Sequence, residues 1–563
     1  MDIPPNTLTQ PPSKLLLWVR SLWSEVLFPG KDHESTQGSS WFPGKDHEST
    51  PGSSWFPDKD HESTPGSQWV WLLVLFLPAL LLYPTLGFDL LEPDETRYAE
   101  VPREMLAKGE WVVPFLDGEP YLDKPPLLYW LIMLSYQAFG ISPASARLVP
   151  ALCLHGLILA CFATCRKPLG LRASLAGVGL LLLAPGFSIM GRLLTIDAVL
   201  AACIGGAILS VWQSIHNNPG SPRLGWWLAS AFFTGLAILA KGPIGLILVL
   251  PPVILFRFFR QESIPWKALC LYAIVALSMG VPWYALMIRR VPDFVHHFFW
   301  EHNIMRFLQP FDHQRGVWFY LPVLALGLLP ATLFGLSFLR FQLGDEKGAR
   351  ALRGPTQSFL LLSGGWCVFF FTLSGCKLPT YILPAFAPLC LAMGPWLATL
   401  TRTQWTLTGI PWLVLLVLGN HFLLPNWAAW RSPLAPGEAL LAHLRDPQTP
   451  IVCYPRECHS VAFALGRDDL RHFRSKEFDA FRADLFTRDK TVVLCTHRHS
   501  LEGLRQLLPP ELELHPLYDL KLSVPQWIPK GLHRMAVKLA GETALGLCDV
   551  AEVRRKPIAP KGS

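Results

Sequence analysis

From Trp69 onward the chain is a succession of apolar runs, most close to the ~20 residues that cross a bilayer as a helix. They fall near 69–88, 146–165, 173–190, 197–214, 225–240, 243–258, 267–287, 317–338, 357–374, 381–398 and 406–424. The pattern predicts an all-α polytopic membrane protein with about eleven transmembrane helices, in a range of eleven to thirteen. Two stretches break the rhythm. Segment 89–145 is too long and too charged for a connector, and its interleaved aromatic residues predict amphipathic helices lying in the membrane interface. Beyond 424, short runs such as Ile451-Val452-Cys453-Tyr454 and Thr491-Val492-Val493-Leu494-Cys495 read as strands, with helix-like polar sequence around Ser475–Phe486 between them. A small α/β domain is therefore expected over 425–563, following a membrane-embedded catalytic domain over 69–424.

Residues 1–68 differ in kind. A 14-residue unit occurs three times, beginning at Phe28, Phe42 and Phe56, as in FPGKDHESTPGSSW. Its Gly, Pro and Ser content cannot bury enough apolar surface to fold alone, so a disordered arm is expected.

Charge adds direction to this picture. Only 16% of the 563 residues are charged, against about a quarter in soluble proteins. The net charge of +7 has no basic helix or aromatic–basic module behind it, which argues against a nucleic-acid partner. Lys and Arg instead mark the ends of apolar runs. One alternating set of short loops holds Arg166, Lys167, Arg172, Arg223, Arg257, Arg260, Lys267, Arg340, Lys347, Arg350, Arg353 and Arg402, and the other only Arg192, Lys241 and Lys377. By the positive-inside rule the first set is cytoplasmic. The N-terminal arm is then inside, and segment 89–145, loop 288–316 and the tail are outside. Twelve cysteines occur without a CxxC pair. Cys453, Cys458, Cys495 and Cys548 leave a tail disulfide open.

The candidate chemistry gathers on that outer side. Asp94 and Glu95, followed by Arg97 and Tyr98, stand in EPDETRYAEVPREMLAKGEW. An acidic pair there suits a general base or a cation-positioning group, and equally an acidic turn capping a helix from about Thr96. Lys124 follows Asp123 in LDKPPLLYW, as either an anion contact or a snorkelling lysine. Asp197 in RLLTIDAVL, Lys241 in LAKGPIG, and Lys377 with Tyr381 in KLPTYILP all sit at outer helix junctions. Charges so placed usually face a cavity or a ligand. His302, Asn303 and Arg306 in WEHNIMRF come from a further outer loop. No Walker A or GxGxxG motif accompanies them. The set describes a pocket for an anionic, lipid-linked phosphate.

Across roughly 69–424 these same segments, in order and spacing, resemble the GT-C class of integral-membrane glycosyltransferases, in particular the aminoarabinose transferase and protein O-mannosyltransferase-like group. The resemblance implies a polyprenyl-phosphate sugar donor used with inversion at the outer face of a bacterial inner membrane, and a lipid A-like, glycan or protein acceptor. Carried across, it implies Asp94 as the main catalytic carboxylate, with Glu95 and Asp197 beside it. Lys124, Arg306 and Tyr381 would hold the donor phosphate, with Arg97, Tyr98, Lys241 and Lys377 around it and His302 and Asn303 toward the acceptor. Some members hold zinc through a Glu before the lysine and a loop His. Here the matching residue is Asp123, so Asp123 and His302 are candidate ligands without an assigned third, and no cofactor is required. A transporter or flippase without chemistry is the alternative, although its key charges would be expected near the bilayer midplane.

Overall fold

The computed structural model describes residues 66–216, 222–263, 265–309, 312–344, 347–432, 441, 444–446, 448–495, 500–518 and 549–556. The three repeats and Cys548 lie outside them. Among the described residues, seven helices are long and apolar enough to cross a membrane: Pro143–Cys165, Ile196–Ile215, Leu224–Lys241, Trp266–Arg290, Pro355–Leu373, Pro379–Leu397 and Thr403–Ala429. Two further spans are bent pairs, Leu171–Leu183 with Pro185–Arg192 at 62° and Val317–Gly327 with Ala331–Leu343 at 101°. Each break carries a proline, Pro185 or Pro330, which has no amide to continue the helical ladder. The shorter apolar helices Trp69–Leu82 and Ile244–Phe259 account for the other two expected runs. A third short apolar helix, Leu127–Phe139, lies within segment 89–145. The protein is a multi-pass membrane protein.

Burial orders the bundle. The apolar window of Ile196–Ile215 is 89% buried and that of Thr403–Ala429 only 11%, which makes the first the central helix and the second a lipid-facing one. Helices Leu171–Leu183 and Pro379–Leu397 approach backbone to backbone. A Cβ on Gly177 would fall 2.9 Å from Leu391 Cα, and one on Gly394 would overlap the Ala173 carbonyl. Small residues at such crossings give membrane helices the van der Waals contact that lipid does not supply.

Segment 89–145 is a built platform. Helix Asp94–Lys108 has Asp94 and Glu95 in its first turn and Lys108 in its last, matching its dipole, and ends at Gly109 with φ +64°. Next comes a hairpin of β1 (Phe115–Leu116) and β2 (Glu119–Pro120). Asp117 (φ 56°) and Gly118 (φ 79°) form its turn, as an Asp-Gly pair does when both central residues need positive φ. The buried Glu104 carboxylate accepts from both turn amides, at 2.7 and 3.0 Å, which ties the hairpin tip to the helix.

Glu95 anchors the start of that helix. Its carboxylate is 2.9 and 2.7 Å from Arg147 Nε and Nη2 and also accepts from the amides of Leu91 and Leu194. Arg147 is fully buried and donates as well to the Leu86, Phe88 and Asp89 carbonyls. Its helix starts with a Ser142–Ser145 capping box.

The tail forms a five-stranded sheet in the order β4-β3-β5-β7-β6, from Arg471–His472, Ile451–Tyr454, Lys490–Cys495, Asp549–Arg555 and Leu512–Tyr518. β4, β3 and β5 are parallel, and β7 joins antiparallel. Alternation along β3 sends Ile451 and Cys453 to one core with Val461, and Val452 to another with Phe481. All described cysteines are free, including Cys453, Cys458 and Cys495. Helix His459–Leu465 docks the sheet on Asp94–Lys108. Glu92 accepts from the Ser460 amide at 2.7 Å, and Lys108 pairs with Asp468 at 2.8 Å.

Removing one partner of a buried ion pair strands the other, at a cost of about 3–5 kcal/mol. Glu95→Gln or Arg147→Met should therefore sharply lower the midpoint of thermal unfolding in detergent. The double variant should lose less than the two single losses combined. Full additivity, or wild-type midpoints for the single variants, would show that the pair does not anchor the platform.

Candidate active site

Asp94 is the first residue of its helix, after the N-cap Pro93, and it is exposed. The helix thus starts two residues earlier than the capping reading allows, and Asp94 faces outward where Glu95 faces in. One turn on, Tyr98 lies between Asp94 and Asp197. Burial and the nearby Tyr121, Asp94 and Asp197 raise its hydroxyl well above the ordinary phenol value. Arg97 lies by Asp94 and Tyr121 and reaches Glu457 of the tail at 3.4 Å.

Three cations converge beside this helix. Lys124 follows directly from the hairpin and donates to the Asp123 carbonyl at 3.1 Å. Burial, reinforced by Arg306 and Lys241, pushes its amine down to about 8, against the pull of Asp123 and Asp197. Lys241, at the C-terminal end of its span, pairs with Asp197 in the first turn of the next-door helix. Its ammonium also lies 4.0 Å from the centre of the Tyr381 ring. Arg306 pairs with Asp312 at 2.9 Å, and Cys376 links Asp312 to the Tyr381 hydroxyl. Each cation has a carboxylate near it, Asp123, Asp197 or Asp312, and an anion entering beside the buried Lys124 would offset what remains of the cost of its charge.

A donor set for a metal adjoins it. Asp123 Oδ1 lies 2.9 Å from His297 Nε2 and 3.3 Å from His302 Nε2, and the three ligand atoms lie within 4.8 Å of one another. Burial drives the His302 imidazole down to about 4, while the Asp123 hydrogen bond raises His297, whose proton a bound metal ion would displace. The residues fit zinc, and His297 supplies the third ligand that sequence reading lacked.

Residues 67–298 match the family model described as dolichyl-phosphate-mannose-protein mannosyltransferase. The undecaprenyl phosphate-alpha-4-amino-4-deoxy-L-arabinose arabinosyl transferase of Serratia proteamaculans is 34% identical over 342 residues, 57% of this chain and 58% of that protein. The transferase 2 of the same description from Sodalis glossinidius is 34% identical over 62% of this chain and 63% of its own. The chain thus spans about six tenths of the length of these relatives. The crystal structure of ArnT from Cupriavidus metallidurans bound to undecaprenyl phosphate superposes with a TM-score of 0.66 at 20% identity, covering 86% of this chain and 98% of that one. This chain shares the membrane fold of that structure.

Within this fold the expected residues divide. Asp94, Arg97, Tyr98, Lys124, Asp197, Lys241, Arg306 and Tyr381 form one linked cluster, each near enough to another to act on its charge, with Asp123 and His302 beside Lys124. Three do not join them. Glu95 is fully engaged by Arg147 and two amides. Lys377 is buried, and its ammonium binds the Ser374 and Arg315 carbonyls. Asn303 donates within its own helix to the Phe298 carbonyl at 2.7 Å. In each case the backbone groups nearby supply the partners, and nothing in the local sequence distinguishes this from a ligand contact. Arg147, Glu104, Tyr121, His297 and Asp312 were missed. The DG turn signal at Asp117 and the second histidine of HHFFWEH were the legible hints.

Proposed function

We propose that the protein transfers a sugar from a polyprenyl-phosphate donor to a lipid A-like, glycan or protein acceptor at the outer face of the membrane, with inversion. The observation that carries this reading is the meeting of Lys124, Lys241 and Arg306 around Asp197, with the exposed Asp94 joined to that group through Tyr98. The loop charge asymmetry puts this pocket, the platform and the tail outside and the N-terminal arm in the cytoplasm. Donor phosphate sits among Lys124, Arg306 and the Tyr381 hydroxyl, and the prenyl chain follows the apolar helix surfaces into the membrane.

The acceptor oxygen attacks the anomeric carbon from the face opposite the phosphate. The bond from that carbon to the phosphate oxygen breaks, and its electron pair leaves with the polyprenyl phosphate. The growing negative charge is met by cations already in place, so little reorganisation is needed during the reaction. Asp94 takes the acceptor hydroxyl proton, or positions the acceptor where that is itself a phosphate. Asp197 holds Lys241 toward the phosphate, and Arg97 and Tyr98 shape the space beside Asp94. A zinc ion held by Asp123, His297 and His302 would add positive charge next to the leaving group.

Two measurements test this. With a labelled polyprenyl-phosphate sugar and membrane acceptors, Asp94→Asn should reduce turnover by about 10²–10⁴-fold, the usual size of a general-base contribution, and leave donor affinity unchanged. Full turnover in Asp94→Asn would remove Asp94 from the chemistry, and lipid translocation by the wild type without a transferred sugar would replace the transferase with a transporter. Lys124→Met removes a charged contact worth about 1.5–3 kcal/mol. It should weaken polyprenyl phosphate binding by about 10–100-fold, and unchanged affinity would remove Lys124 from the donor site.

A further inference from the structure

A second cluster, away from the pocket, joins the hairpin tip to the tail sheet. Asp117 Oδ1 lies 3.4 Å from His459 Nδ1 and 3.1 Å from His472 Nε2, with these three ligand atoms within 4.8 Å of one another. A tetrahedral zinc ion with bonds of about 2.0–2.1 Å has ligand–ligand edges of about 3.3 Å, so the spacing fits. His459 is 1% exposed, and neither of its ring nitrogens makes a hydrogen bond. The ring stands between two carboxylates, Asp117 at 3.4 Å and Glu457 at 3.5 Å, without hydrogen-bond geometry to either, a setting that a metal ion between His459 and Asp117 completes. Behind its other nitrogen stands Glu457, with Oε2 at 3.5 Å from Nε2, the arrangement in which a carboxylate orients a metal-bound histidine. Arg474 and Arg97 hold Glu457 in turn.

From this geometry we infer that Asp117, His459 and His472 form a zinc site that staples the tail sheet to the first outer segment, with water completing the tetrahedron. The supports are built for it. Glu104 fixes the turn that presents Asp117, β4 presents His472, and the first turn of helix His459–Leu465 presents His459. His472 Nδ1 faces the Cys458 amide at 3.3 Å. There the amide donates to Nδ1, which puts the ring proton on Nε2 toward Asp117, and zinc binding would have to displace that proton. The site is distinct from Asp123, His297 and His302, and does not depend on the proposed transfer reaction.

The test is metal content and zinc affinity of full-length protein in detergent, stripped with chelator and dialysed against zinc. Asp117→Asn and His472→Gln should each lose one equivalent relative to the parent, whereas His297→Ala should keep that equivalent. Glu457→Gln, which leaves all three ligands in place and so guards against misfolding, should weaken the affinity of this equivalent by about 10–100-fold. Cobalt in the His297→Ala background should show the visible bands of a tetrahedral ion. Equal zinc in the parent, Asp117→Asn and His472→Gln would overturn the site, with His459 then an imidazolium between Asp117 and Glu457. Because the readout is metal, an absence of sugar transfer would leave this inference standing.

Discussion

Glu95 and Arg147 meet withdrawn from water, and the platform on which the pocket is built hangs from that contact. Two charges in an apolar setting are tolerated only when every lone pair and proton has a partner, and here backbone carbonyls and amides complete both groups. The pair fixes the helix start by rotation as well as position. With Glu95 turned inward, the helical period leaves Asp94 pointing out and places Arg97 and Tyr98 one turn further along the cavity wall.

The division between satisfied and available charge then follows. Glu95, Glu100, Glu104 and Lys377 are used up by arginines, amides and carbonyls that hold the fold. Lys124, Lys241 and Arg306 each stand close to a carboxylate, Asp123, Asp197 and Asp312 in turn. Burial still makes the charge of Lys124 costly, as its lowered amine shows, and an anion entering the pocket relieves it. The tail sheet contributes from above. Through Glu457 it touches Arg97, and through His459 and His472 it grips the hairpin that leads into Asp123 and Lys124. On the proposed function, the domain farthest along the chain therefore helps to shape the reaction centre.

Much of this was legible in the sequence. Hydropathy marked runs that the described residues form as seven straight helices, two bent pairs and two shorter apolar helices, and the two bends lie at prolines visible in advance. The strands Ile451–Tyr454 and Lys490–Cys495 announced themselves as short β-branched runs. Antiparallel β7 did not, because DVAEVRR alternates as an ordinary polar strand whose pairing is set by contacts far along the chain. The pocket lysines were legible because isolated charges at helix junctions are costly. Glu95 and Lys377 carried the same signature for a different reason, since burial in protein and exposure to a ligand cavity look alike in one dimension. His297, His459 and His472 meet their carboxylates across 174, 342 and 355 residues, distances at which spacing carries no information.

The most direct test of the account is a cryo-electron microscopy map of the protein with a polyprenyl phosphate bound. Phosphate density among Lys124, Arg306 and Tyr381, with Asp94 facing the same cavity, is the predicted result. Density at Lys377 and Arg315, or at the opposite end of the bundle, would contradict it.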